Sequence, residues 1–224
     1  LPASDHSGAW PIAPRQATTR VSRPYRDDTL VLDTDFENEQ GVVRITDFMP
    51  LRLDGDSHIV RVVQGLRGRV DVDLELALRL DYGITVPWVT RLKDNRGVCA
   101  IAGSDLITLR SPVPLHGRDL KTHAEFTVAE GDRLSFVLSY SGSYSKEPEC
   151  LDADTSLRET ETFWREWIGQ TTCTGRWAPE VRRSLITLKA LTYAPSGGIV
   201  AAATTSLPEI IGGQHNWGYG FFWL

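Results

Sequence analysis

The fold is decided by residues 70–80, which read Val70-Asp71-Val72-Asp73-Leu74-Glu75-Leu76-Ala77-Leu78-Arg79-Leu80. Apolar side chains occupy every second position of this stretch, and three carboxylates stand between them. Because successive side chains of a β-strand point to opposite faces, this alternation predicts a strand with one face in a core and the other toward water or a polar neighbour. We interpret Asp71, Asp73 and Glu75 as a solvated strand face rather than as catalytic groups.

The same pattern extends in weaker form over residues 1–147. Segments of this kind are Leu30–Phe36, Val42–Phe48, Ile59–Leu66, Ile84–Leu92, Leu106–Leu109, Ala124–Val128 and Leu134–Tyr140. Turn signals such as Asn95-Arg96-Gly97 and Glu130-Gly131-Asp132 separate several of them. Many strands at short spacing, with no helix between them, predict an antiparallel β-sandwich over residues 1–147. Asp33 and Asp35, on one of these strands, are interpreted as another solvated face.

The character of the sequence changes near Pro148. A first helix is predicted from Asp154 to Ile168, where four residues share one face at helical spacing: Leu157, Glu161, Trp164 and Ile168. A second is predicted from Pro179 to Tyr193, with a stripe formed by Val181, Leu185, Leu188 and Thr192. We therefore expect a mainly β chain in which residues 148–176 form a helical linker and residues 177–224 open a helical domain.

Composition excludes several classes of function. The 224 residues carry a formal net charge of -5, so no electrostatic attraction to nucleic acid or to an anionic membrane is expected. No apolar run approaches the roughly 20 residues of a membrane-spanning helix. Three widely spaced cysteines, Cys99, Cys150 and Cys173, fit reduced thiols in a cytoplasmic protein better than a disulfide framework. The five histidines show no metal-site spacing, so neither a metal nor a cofactor is expected.

The last residues of the sequence are rich in aromatic side chains: Trp217, Tyr219, Phe221, Phe222 and Trp223 fall within seven positions. Flat aromatic rings stack on the apolar faces of sugars and leave the sugar hydroxyls free for hydrogen bonds. A helix packed in a core explains the cluster equally well, because Trp217, Phe221 and Leu224 would share one face. The pattern itself leaves both alternatives open.

The front half of the chain carries the motifs Asp28–Leu32, Gly41–Pro50, Arg61–Leu66 and Asp81–Gly83, and the rear half carries Leu188–Ala202, Thr204–Glu209, Gly212-Gly213 and Asn216-Trp217. Together these motifs resemble bacterial glycoside hydrolase family 15, which contains glucoamylases, glucodextranases and trehalases. The front motifs are similar to that family's trehalase-like N-terminal domain. The resemblance covers most of the chain in order.

This resemblance implies an N-terminal β-sandwich, a helical linker and an (α/α)6 barrel of which residues 177–224 are the first segment. It implies inverting hydrolysis of trehalose or of the non-reducing ends of an α-glucan, with no metal. The two catalytic glutamates of the family lie further along the barrel than Leu224, so no catalytic residue is expected in this chain. Tyr219 and Trp223 match substrate-binding positions of the family.

The aromatic segment also departs from the family. Where the family usually has Asn-Trp-Asp-Tyr-Arg-Tyr-Cys-Trp, this chain has Asn216-Trp217-Gly218-Tyr219-Gly220-Phe221-Phe222-Trp223. Glycines thus replace an acid and a base that would otherwise flank the sugar-binding tyrosine. An alternative interpretation is that the chain is a non-catalytic structural or sugar-binding β-sandwich module. Trehalase and glucoamylase activities are not separated, because that choice depends on barrel loops.

Overall fold

The computed structural model describes residues 8–52, 56–145, 148 and 151–200. These residues form a mainly β structure with antiparallel strands and two α-helices. The strands are β1 (Ile12–Pro14), β2 (Arg20–Ser22), β3 (Leu32–Asn38), β4 (Gly41–Phe48), β5 (Ser57–Leu76), β6 (Trp88–Arg91), β7 (Gly97–Ala102), β8 (Asp105–Arg110), β9 (His116–Arg118), β10 (Lys121–Ala129) and β11 (Arg133–Gly142). The helices are α1 (Ala153–Ile168) and α2 (Ala178–Ala190), and Asp81–Gly83 forms a 3-10 turn.

Strand β5 organises the sheet. Its first part pairs with β4 and β11, and its later part pairs with β10 and β1. The prediction of two separate strands, Ile59–Leu66 and Val70–Leu80, is therefore wrong, because one strand runs from Ser57 to Leu76. Gly65, near the end of the first of these segments, does not end the strand. A Cβ atom at Gly65 would lie 2.0 Å from the carbonyl oxygen of Ala129, so glycine permits close approach of two backbones there.

The alternation in residues 70–76 is confirmed. Val70, Val72, Leu74 and Leu76 are buried and belong to the main hydrophobic cluster, whose largest fully buried side chain is Phe136. On the other face, Asp71 accepts a hydrogen bond from Thr127, Asp73 pairs with Arg15, and Glu75 pairs with Lys121. The carboxylates thus meet polar neighbours, as the pattern predicts.

The chain divides into two compact units. The first comprises Leu1–Arg26 and Val31–Thr162, and all eleven strands lie in it. Its main cluster lies within the sheet, and a smaller cluster combines Val31, Phe48, Val60, Val62 and Val137 with Ala153 and Leu157 of α1. The second unit comprises Asp27–Leu30 and the residues from Phe163 onward. Trp164, Ile168 and Ile186 form its buried centre.

Both predicted helices are present, with corrected details. Helix α1 begins one residue earlier than expected and ends at Ile168 as predicted, while α2 ends at Ala190 instead of Tyr193. The predicted apolar stripe of α2 is only partly correct, because Val181 and Leu188 are exposed and Ile186 is the buried residue. Ile186 packs with Trp164 and Ile168, which fixes the inward face of α2.

Candidate functional site

The predicted substrate-binding residues, Tyr219 and Trp223, lie outside the described residues. The described part of the rear motif, up to Val200, forms the end of α2 and a tight turn. In that turn the backbone N–H groups of Tyr193 and Gly197 bond to the carbonyls of Gly198 and Tyr193, respectively. Gly197 has a φ of 74°, a left-handed conformation that glycine adopts without strain.

The front motif at Asp28-Thr29 attaches its segment to α2 within the second unit. Arg182 donates two hydrogen bonds to the Asp28 carboxylate, at 2.9 and 2.6 Å. Arg183 donates to the carbonyl oxygen of Thr29 at 2.8 Å. The hydrogen bonds from Arg182, together with its charge, lower the pKa of Asp28. This motif therefore joins two segments far apart in sequence and is not a reactive group.

A second charged cluster lies inside the first unit, around Asp33. Arg26 bridges Asp33 at 2.9 Å and Glu161 at 2.7 Å, and the Thr46 hydroxyl donates to Asp33 at 2.7 Å. Only 8% of the Asp33 side chain is exposed. The interpretation of Asp33 as a solvated residue is therefore wrong, because its strand face is covered and its charge is compensated by Arg26. Such a paired carboxylate positions α1 against the strands and offers no free acid or base.

The third cluster surrounds Asp47 of β4. Arg61 lies 3.1 Å from the Asp47 carboxylate, and its guanidinium stacks 4.5 Å above the ring of Trp10. Burial raises the pKa of Asp47 and lowers that of Arg61. These residues border a cavity of about 180 Å³ in which Asp47 is the sole carboxylate among the described lining residues. Glycosidic cleavage needs two carboxyl groups, so this cavity does not meet the requirement.

A groove of about 540 Å³ lies in the first unit and is lined by residues of β6, of β9 and of the start of β10. We call it the Trp88 groove. Its walls combine apolar side chains, among them Trp88 and Leu120, with the charged groups of Arg91, Arg118, Asp119 and Lys121. This site could not be predicted from the sequence, because β9 is only three residues long and Trp88 lies in a segment with noisy alternation.

The described residues were considered for metal ligands, thiols and membrane-spanning helices as well. No group of three or more His, Cys, Asp or Glu side chains there is arranged to hold a metal ion. Cys99 and Cys173 are half-buried thiols that are not in disulfides, whereas Cys150 lies outside the described residues. Among the helices of the same residues, none has the length and apolar character needed to cross a membrane.

Comparison with known proteins identifies the relatives of this chain. The family model described as "Trehalase-like, N-terminal" matches residues 1–164. The trehalase of Thermoplasma volcanium is 29% identical over 222 residues, which cover 97% of this chain and 35% of that protein. Trehalase 1 of Sulfolobus acidocaldarius is 30% identical over 226 residues, covering 98% and 36%, and the trehalase of Mycobacterium tuberculosis is 25% identical over 246 residues, covering 97% and 36%.

Among solved structures, a putative kojibiose phosphorylase from the human microbiome aligns with 80% of this chain and 27% of its own, at 10% identity and a TM-score of 0.38. That score is too low to indicate a shared fold. The chain spans a little over a third of the length of the curated relatives it matches. Since the family model matches well over half of its residues, the chain belongs to the trehalase-like N-terminal family.

Proposed function

We propose that the protein containing this chain hydrolyses α-glucosidic bonds with inversion, and that trehalose is the first substrate to test. The observation that carries the proposal is the family match over residues 1–164, together with relatives named trehalase that align with nearly the whole chain. The non-reducing ends of α-glucans are the other substrates that the family 15 resemblance implies.

Inversion needs an acid that protonates the leaving oxygen and a base that activates water, with carboxyl groups roughly 6.5–9.5 Å apart. The clusters at Asp28, Asp33 and Asp47 do not supply such a pair, because each carboxylate is compensated by an arginine. By resemblance, both catalytic glutamates belong to barrel sequence beyond residue 224. The mechanism uses no metal and no cofactor.

The parts of the chain then have distinct roles in this proposal. Residues 1–147 form a β-sandwich, residues 148–176 a helical linker, and residues 177–224 the first segment of an (α/α)6 barrel. The Asp28–Arg182 pair supports this assignment, since it connects a segment of the front half to α2, the first helix of the proposed barrel segment. Tyr219 and Trp223 bind the sugar by stacking and by the tyrosine hydroxyl. The protein is cytoplasmic in this proposal.

The proposal is tested on the full-length protein supplied with trehalose, maltose and soluble starch. Glucose release from trehalose supports it, and release from starch alone assigns the glucoamylase branch instead. Trp223→Ala and Tyr219→Phe are then compared with the unaltered enzyme. If Trp223→Ala leaves kcat/KM intact and only lowers Tm, the tryptophan is a core residue and its assignment to the sugar site is wrong.

A non-catalytic sugar-binding module is the second candidate function, and the Trp88 groove is the observation that favours it. The two candidates differ in a simple measurement. A full-length protein that binds oligosaccharides but releases no glucose from any α-glucoside is a binding module. A full-length protein that releases glucose is an enzyme, whether or not its β-rich part also binds sugar.

A further inference from the structure

We infer that the Trp88 groove is a binding site for a neutral oligosaccharide. The choice of glucose oligosaccharides as probes rests on the proposed function. Its volume of about 540 Å³ falls within the roughly 300–1,000 Å³ of small-molecule sites.

One wall of the groove presents an aromatic platform. Trp88 is 78% exposed, and it begins β6, whose one partner strand among the described residues is β7 and whose four residues are all exposed. A tryptophan that contributes nothing to a core is unusual, because burial of its large ring is strongly favourable. An exposed indole beside a groove provides the flat apolar surface that a pyranose ring stacks on. This is the feature that points to a sugar.

The opposite wall is formed by the tight turn between β9 and β10. Asp119 and Leu120 occupy its two central positions, with φ values of 53° and 57°. Such turns favour asparagine or glycine, and a leucine in the left-handed region is uncommon. Leu120 is nevertheless 73% exposed, so core packing does not account for it. The turn holds an apolar side chain at the groove edge facing the same cavity as Trp88.

The charged groups that line the groove are paired, apart from that of Arg91. Lys121 is paired with Glu75 at 2.9 Å, and Arg118 lies 3.7 Å from the Asp119 carboxylate. Arg91 forms no ion pair with any described residue, and its guanidinium makes one long hydrogen bond of 3.4 Å to the carbonyl of Leu115. A guanidinium carries five N–H donors, so most of them remain for hydroxyl acceptors. A guanidinium with unused N–H donors beside a tryptophan suits a ring that carries several hydroxyl groups.

A second copy of the chain or an extended peptide is the main competing occupant, because the edge of β6 could accept another strand. Pairing of that kind would use the backbone of β6 and would depend little on the indole of Trp88. A sugar depends on the indole. The identity of residue 88 therefore separates the two occupants.

The test is a titration of the 224-residue chain with maltotriose, followed by ¹H–¹⁵N spectra. We expect saturable chemical-shift changes in β6 and in the turn at Asp119-Leu120. Trp88→Ala should raise the Kd about tenfold or more, and Arg91→Ala should also raise it. Trp177→Ala is the matched control, because Trp177 is also exposed, at 61%, and lies in the second unit against Arg176. Unchanged spectra elsewhere show that each variant is folded.

Several results would overturn the inference. They are an absence of binding by the unaltered chain, equal weakening by Trp177→Ala, an affinity unaffected by Trp88→Ala, tighter binding of a uronic-acid oligosaccharide, or a dimer in sedimentation that persists in Trp88→Ala and blocks maltotriose binding. Activity of the full-length protein separates this inference from the proposed function. Trehalose hydrolysis without groove binding refutes only the groove, whereas groove binding without hydrolysis refutes only the enzyme.

Discussion

Replacing Leu74 with alanine should destabilise the first unit severely, because Leu74 lies at the centre of the alternating stretch that decides the fold. It is 1% exposed and is paired in register with Ile12 of β1 on one side and with Ala124 of β10 on the other. The substitution removes three carbons, worth about 0.8 kcal/mol each in transfer free energy. Strands on both sides limit collapse of the cavity, so we expect a total loss of about 3–4 kcal/mol.

For a chain of this size, each kcal/mol lowers Tm by about 2–4 °C, so Tm should fall by about 6–16 °C. Far-UV circular dichroism during heating and urea unfolding measures the change. Ile84→Ala is the matched control, since Ile84 is 85% exposed and its truncation should change stability by less than about 0.5 kcal/mol. A loss for Leu74→Ala no larger than that of the control would show that the apolar face of β5 is not the core.

Three further predictions concern the Asp28–Arg182 pair, hydrogen exchange in the two units, and the absence of glucose release by residues 1–224. The Asp28–Arg182 pair lowers the pKa of Asp28, so its stabilisation is complete above the unfolded pKa and is lost as pH falls through the folded one. Asp28→Asn should remove this contribution to the acid dependence of urea unfolding, measured from neutral pH to pH values below the pKa of a free carboxyl, and an unchanged dependence would contradict the role of the pair. Hydrogen exchange in the 224-residue chain should be slow in Val70–Leu76 and fast in α2, and uniformly slow exchange in a proven monomer would refute this. Purified residues 1–224 should release no glucose from trehalose, maltose or starch, and turnover that survives further purification would show that the acid and base lie within them.

The alternation of residues 70–76 was sufficient to predict which side of a strand is buried, since period two depends only on strand geometry. The continuity of β5 was not predictable. Glycine in a strand commonly marks a break, whereas Gly65 and Gly68 lie where Ala129 and Gln40 of other strands or turns approach to within about 2 Å of a hypothetical Cβ. That approach is a tertiary contact, and local sequence does not encode it.

The site was less predictable than the fold. Asp33 occupies an alternating polar position that suggests solvent, yet Arg26 and Glu161 complete a buried network around it from distant parts of the chain. The Trp88 groove likewise depends on β6 and β9. These strands do not pair with each other, and each pairs with a different strand, β7 and β10 respectively. Side chains that meet through long-range pairing leave no local spacing pattern, so neither cluster was predictable from sequence.

The central claim is that the full-length protein is an inverting α-glucosidase, and the anomers released from trehalose test it most directly. In inversion, water attacks one anomeric carbon and releases that glucose as the β anomer, while the other glucose leaves as the α anomer. Proton NMR recorded before mutarotation should therefore show equal amounts of α- and β-glucose in the first turnovers. Release of α-glucose alone would indicate retention, and no release of glucose from trehalose or any other α-glucoside would contradict the assignment altogether.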